Sequence, residues 1–369
     1  MSDEGRALED LISLPTIPRE AGRKIAQLEQ EFVRAEIEQL RKQIPALRPL
    51  YAKRNELAAS KELQEADFWP RVFANAPQEV DEYILATDAA VIGQCLRNLT
   101  VERFEVDDQG NGGDPRSVRF VFEFASGDEN PYFSNTKLVK EFYYRKSVTK
   151  TEKGKRRVWD GYVSAPVRIN WKKDQDLTKG LLDATCDLYE AEQKDTKVNR
   201  VKLPEYEKLV KKLEQVEAEA FAGDEDDEAD DDSGLAASSP AGVSFFAWFG
   251  FRGGNATAEQ SVAAEKEELE RWQKIEKGEK VEDDDDDDEE DEDEDDDYDE
   301  EEDSLEAAEV FPDGEEVAIA LAEELWPNAL KLYVQSYEDI DDFDDEMDIE
   351  SIDEDEEEAD LPPSKKVKT

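Results

Sequence analysis

Histidine is absent from the 369 residues, and cysteine and methionine occur only twice each. Without histidine the chain lacks the commonest general base and the commonest metal ligand near neutral pH. Cys95 and Cys186 form no CxxC pair, so they read as two buried or indifferent thiols of a reducing compartment. No apolar run approaches the ~18 residues of a membrane-spanning helix. The N-terminal MSDEGRALEDLIS is acidic and has no apolar core, so no secretory leader is expected. The chain reads as a soluble intracellular protein, in which the sequons at Asn98 and Asn255 carry little meaning. Phosphate-loop, dinucleotide-binding, HExxH and GxSxG patterns are missing too. The loop from Asp107 begins like a calcium site, with Gly112 at its sixth position, but Val118 stands where a bidentate glutamate is needed. No catalytic residue, cofactor or metal is expected.

What the chain has in excess is acid. Asp and Glu number 99 against 46 Lys and Arg, a net charge of −53. Residues 1–222 hold 36 basic and 40 acidic side chains, whereas the remaining 147 hold 10 and 59. The first part has a globular composition. Much of the second cannot bury enough apolar surface to offset its ordering entropy, so disordered acidic insertions and an acidic tail are expected. Such runs either confer solubility or attract dense positive charge, and basic DNA-binding proteins, histones above all, are their natural partners. Sequence-specific binding to nucleic acid is not expected. Behind two prolines at the C-terminus, Lys365, Lys366 and Lys368 resemble a nuclear import signal, which favours the nucleus, with cytoplasmic shuttling open.

Between about 22 and 63 the pattern is helical. Val33, Ile37, Leu40, Ile44, Leu47 and Tyr51 form a heptad stripe, and Ile25, Leu28, Phe32 and Ala35 form a second, offset one. A helix that long, about 60 Å at 1.5 Å per residue, needs a partner for its stripe. That partner is its own chain folded back or, better, a second copy; Pro45 and Pro49 predict a kink or junction. From 99 to 171 the period changes to two, predicting four strands at 99–106, 116–125, 137–146 and 161–171, joined as a meander, with a basic hairpin tip at 150–157. In the second strand Val118, Phe120, Phe122 and Phe124 share an apolar face, which suits a sheet covered on one side. Helices are predicted at 176–193, 204–223, about 257–277 and 316–337. Five aromatics within 245–251 lie between acidic runs at 223–232 and 282–303. Either this segment returns to the core and the runs are loops, or it is an exposed partner patch.

Six blocks, in order, resemble the nucleosome assembly protein family: LRPLYAKRNEL (47–57), DFWPRVFANAP (67–77), GDENPYFSNTKLVKEF (127–142), PVRINWKKDQDLT (166–178), SFFAWF (244–249) and EELWPNALKLYV (323–334). They are most similar to its SET branch and that branch's fungal relatives, which include a histone chaperone that works with a histone acetyltransferase. The resemblance implies an α+β homodimer, in which a long N-terminal dimerisation helix precedes an earmuff domain whose antiparallel β-sheet packs on helices. Its expected divisions are a flexible N-terminus (1–21), the dimerisation helix (22–66), the earmuff (67–337, with disordered acidic inserts at about 223–241 and 278–312) and an acidic tail (338–369). By position, Glu323 and Glu324 match family residues implicated in histone contact, and Asp174, Asp176 and Thr178 lie in a segment lining the same surface. The dimer stripe would be Ile25, Leu28, Phe32, Val33, Ile37, Leu40, Ile44, Leu47 and Tyr51. The implied partners are core histones and, through the fungal relatives, an acetyltransferase. SET relatives also raise a phosphatase-inhibitor reading, and composition alone allows an acidic scaffold. The chain departs from the SET pattern in two longer stretches, 179–242 and 252–315.

Overall fold

In this computed structural model the described residues are 17–150, 156–194, 198–223, 242–277 with 279, and 304–338. The helix-forming run at the start becomes α1 (Arg19–Ala58), which passes through Pro45 and Pro49 without a junction. Each proline withholds one N–H from the carbonyl four residues back, and the turns on either side carry the helix across. It ends at Ala58. Ser60 then caps a separate α2 (Lys61–Glu65) by accepting from the Leu63 N–H at 3.5 Å, so the stretch 22–66 is two helices. Three short helices follow: α3 (Phe68–Ala74), α4 (Gln78–Asp81) and α5 (Ala86–Cys95). Phe68, Trp69, Val72 and Phe73 of α3 are all buried, which explains the aromatic DFWPRVF block.

The strands are β1 (Leu96–Glu102), β2 (Val118–Phe124), β3 (Lys137–Lys150) and β4 (Arg156–Ser164), antiparallel in the order β1-β2-β3-β4. This is the expected meander. Its last strand starts and stops earlier than expected, because the chain turns away before Pro166 and only Trp171 pairs again, with Phe133. Of the basic hairpin tip, Lys150, Arg156 and Arg157 are described, and Lys150 pairs with Arg156. The remainder lies outside the described residues. Register places Phe120 opposite Lys140, Phe122 opposite Leu138 and Phe142 opposite Ser164, and all six are buried.

The buried face is covered by a 3-10 turn, Phe245–Gly250, every residue of which is buried, and α6 (Leu181–Lys194) packs on that turn. This turn is the aromatic segment, and it returns to the core. Trp248 stands 5.2 Å from both the Phe120 and the Phe142 ring, and Phe249 lies 5.5 Å from Phe122. Asp88 holds its entry, accepting from Ser244 Oγ at 2.5 Å and the Phe245 N–H at 2.9 Å. Gly250 ends the turn where a Cβ would meet Val310 Cγ2 at 2.6 Å, so only glycine allows that approach.

Parts of both longer stretches fold. Leu209 of α7 (Pro204–Gly223) is fully buried, and α7 packs along α6. A second helix, α8 (Ala258–Glu276), lies against β3: the Lys146 N–H donates to Ser261 Oγ, and Lys146 pairs with Glu268. The insert expected at 278–312 is shorter than that, since Ala308, Val310 and Phe311 are buried, with Phe311 5.2 Å from Tyr83. Their apolar side chains need the core, which the acid count around them hid. The chain closes with α9 (Gly314–Ala320), a π-turn at Leu321–Leu325 and α10 (329–338). No helix among the described residues is long and apolar enough to cross a membrane. The expected insert core at 224–241, the acidic run 282–303 and the tail from 339 lie outside the described residues.

Candidate functional site

Glu323 and Glu324 lie in the π-turn, between buried Leu321 and Ala322 on one side and buried Leu325 and Trp326 on the other. The inward apolar residues fix the turn, so both carboxylates face outward. Glu323 pairs with Arg103 at 2.8 Å while staying half exposed, and Arg103 also donates to the Arg116 carbonyl at 2.7 Å. Trp326 locks the pair in place: its Nε1 donates to the Leu99 carbonyl at 3.0 Å, and its ring meets Tyr51 at 4.3 Å. The Arg54 guanidinium stacks on the same ring at 3.9 Å and donates to the Trp326 carbonyl. Burial pushes Arg54 down to about 10.

Asp174, Asp176 and Thr178 come together in one turn ahead of α6. Asp174 is exposed and takes a left-handed φ of 58°. Asp176 Oδ1 accepts from the Thr178 N–H (2.9 Å) and Oγ1 (2.7 Å), and Thr178 is buried. Thr178 therefore props the turn, leaving Asp174 and Asp176 as its accessible acids. This turn is tied to α7, where Lys179 meets Glu219 at 3.5 Å, whereas Glu323 is tied to the start of the loop after β1.

Other carboxylates are already neutralised. Arg168 binds Asp183, Asp187 and Glu190 at 2.8, 2.8 and 3.1 Å, and its hydrogen bond holds Asp187 below the usual carboxylate range. Asp107 spends its Oδ1 on the N–H groups of Gln109 and Asn111, closing its own loop. Glu309 and Glu315 differ. Burial pushes both up, and they line a concave surface below β4 with Asp160 and Glu306. The sequence reading missed these four acids because two of them fell inside the supposed insert. The apolar residues around them, Ala308 to Phe311, were the available signal.

The proposed dimer stripe divides in two. Ile25, Leu28, Phe32 and Val33 are exposed, as are Leu50 and Leu57. Ile37, Leu40, Ile44 and Leu47 are half-buried beside the loop after β1, which Arg41 and Arg48 bind through the Gly113 and Val106 carbonyls. Tyr51 belongs to the Trp326 contact. Lys365, Lys366 and Lys368 lie outside the described residues.

Comparison with known proteins decides the family. The model of the nucleosome assembly protein (NAP) family matches residues 19–336. The chain belongs to that family. A nucleosome assembly protein of Schizosaccharomyces pombe is 34% identical over 160 residues, covering 43% of this chain and 60% of that protein. Protein SET of Drosophila melanogaster is 32% identical over 184 residues, covering 49% of this chain and 56% of that one. The chain thus spans less than two thirds of these relatives' length. Among solved structures, Ccp1 aligns over 86% of this chain and 96% of its own, at 24% identity and a TM-score of 0.45. The Vps75 histone chaperone aligns over 88% and 100%, at 17% identity and a TM-score of 0.39.

Proposed function

We propose that this protein is a histone chaperone: a homodimer that shields the positive charge of core histones and releases them to DNA, without an enzymatic step. Membership of the nucleosome assembly protein family over residues 19–336 carries this reading. The acid surplus supplies the means, since a polyanion captures basic partners quickly and over a Debye length of about 8 Å at physiological salt. Glu323 and Glu324, with Asp174 and Asp176, would then supply a shaped contact, with Thr178 holding its turn. Work in the nucleus, import through Lys365, Lys366 and Lys368, and help to a histone acetyltransferase belong to the same reading. So does the division into a flexible N-terminus (1–21), a dimerisation region (22–66, made of most of α1 and all of α2), an earmuff (67–337) and a tail (338–369).

The dimer would use the exposed side of α1. Antiparallel pairing about residue 41 sets Ile25 against Leu57 and Phe32 against Leu50, so exposed apolar positions match in pairs.

The test is histone affinity at near-physiological salt. Reversing Glu323 and Glu324 to lysine should weaken binding of a purified histone pair more than deleting 338–360 does. Dominance of the deletion would move the contact off the folded domain.

A further inference from the structure

A cavity of about 770 Å³ opens between the outer edge of β4 and the segment 305–315. Part of its wall is bare backbone. Gly253, at φ 64°, lies so close to the Tyr162 carbonyl that a Cβ there would stand 2.2 Å from the oxygen. Gly254 lies directly under Trp159, whose ring a Cβ would meet at 2.2 Å. The Cβ position over Gly161 is 3.2 Å from the Trp159 ring and 3.5 Å from Glu315 Oε2. An aromatic ring and a carboxylate therefore meet over one glycine. Glu306 and Glu309 extend the acidic wall, and Arg157 is the one basic residue among the described lining.

The negative charge here is met mainly by uncharged donors: Glu309 accepts from the Arg252, Gly253 and Phe311 N–H groups. Burial pushes the Glu315 carboxyl up, the Tyr162 N–H relieves it, and Asp160 adds like charge. Asp160 itself accepts from Tyr144 Oη at 2.9 Å. Such a wall repels anions and leaves an apolar ligand facing carboxylates. It suits a cation with a flat face. The volume lies in the range that holds a short segment of chain as well as one side chain, within about 300–1,000 Å³.

We propose that this cavity takes one arginine side chain of an extended basic peptide, with the guanidinium stacked on Trp159 and forked onto Glu315. Arginine is favoured over lysine because its planar fork both stacks on an indole and matches a carboxylate, whereas an ammonium is a compact, strongly hydrated charge. The acidic run 282–303 ends one residue before Ser304 and two before Leu305 of the cavity wall, so the densest negative charge of the sequence lies next to this wall along the chain. The inference rests on the histone reading for the source of the peptide, since a histone would present such a segment.

The experiment uses the full chain and two labelled synthetic peptides of glycine and alanine, one with spaced arginines and one with lysines at the same places. Anisotropy titrations at near-physiological salt should give about tenfold tighter binding of the arginine peptide. Trp159→Ala and Glu315→Gln should each erase that preference and leave lysine-peptide affinity in place. Absence of the preference in the unaltered protein, or its survival in both variants, overturns the socket. The two peptides have equal charge, and any arginine preference due to the acidic run alone would survive in both variants. Trp159→Ala also removes packing, and Glu315→Gln, which keeps the shape, is then the deciding variant. A purified histone pair is titrated alongside. Histone binding without arginine preference removes only the socket, and failure of the histone pair itself to bind removes the chaperone reading.

Discussion

The Trp248 indole Nε1 donates a 2.9 Å hydrogen bond to the Gly314 carbonyl, 66 residues further along the chain. The acidic run 282–303 falls between the two partners. One buried bond thus joins the chain on either side of that run. The same ring packs between β2 and β3, so Trp248 joins the sheet, the aromatic turn and the start of α9.

Trp248→Ala should therefore cost about 3–5 kcal/mol, the range for emptying a large buried aromatic site. Trp248→Phe keeps most of the ring but leaves the Gly314 carbonyl unpaired, for a loss of about 1–3 kcal/mol. Urea unfolding followed by circular dichroism measures both. A chain truncated after residue 222 lacks all five rings of the aromatic segment and should bind ANS and aggregate.

Lys140 is the buried counterpart of this tryptophan on β3. Its Nζ donates to the carbonyls of Ala165, Phe249 and Phe251 at 2.8, 3.1 and 2.6 Å, tying the aromatic turn to the sheet. Burial pushes the amine down to about 7, yet three acceptors match the three protons of the ammonium. Lys140→Met fits the space and leaves the three carbonyls without this donor. A loss of about 3 kcal/mol or more is expected in the same unfolding measurement. An unchanged midpoint would mean that the carbonyls find other donors.

Phe32 and Tyr51 should behave differently although both belong to the expected dimer stripe. Phe32 is exposed, whereas Tyr51 packs on Trp326. Leu28→Asp with Phe32→Asp should give a monomer by light scattering with little change in domain unfolding. Tyr51→Ala should lower stability by about 2–4 kcal/mol and leave the oligomer intact at working concentration. A monomeric Tyr51→Ala would mean that the Trp326-facing side of α1 also takes part in the dimer contact.

Glu105 gives a signed pH dependence. Burial opposes its charge, but hydrogen bonds from Arg145 and Ser117 outweigh burial and hold the carboxyl below the usual range. A carboxylate depressed by folding stabilises above its unfolded pKa, about 4.3, and that contribution is lost as pH falls through the lower folded value. Glu105→Gln should therefore be destabilising at pH 7, with the gap to the unaltered protein closing below pH ~4. A gap independent of pH would assign the loss to packing instead.

Much of the fold was legible because two periodicities are written openly. Alternation in 118–124 gives the buried face of β2, and the helix-forming composition of 22–63 gives α1. The boundaries were less legible. Pro45 and Pro49 did not break α1, because a helix with many turns on either side absorbs two missing donors. Ala308, Val310 and Phe311 were hidden among acids, and composition averaged over a window could not separate a short buried segment from a solvated run.

The candidate site divides in the same way. Glu323 and Glu324 were reached through the resemblance of EELWPNALKLYV to the family, and both are exposed in the fold. That Thr178 is a buried prop, that Tyr51 serves the domain, and that Trp159 shares a cavity with Glu315 depended on contacts between distant segments. By itself the sequence determined the charge asymmetry, the element types, and the absence of histidine chemistry, since these are properties of composition and local period. Only the tertiary structure decided which acids are neutralised, which apolar residues remain uncovered, and which side chains meet. Those outcomes depend on distances and burial that no local pattern encodes.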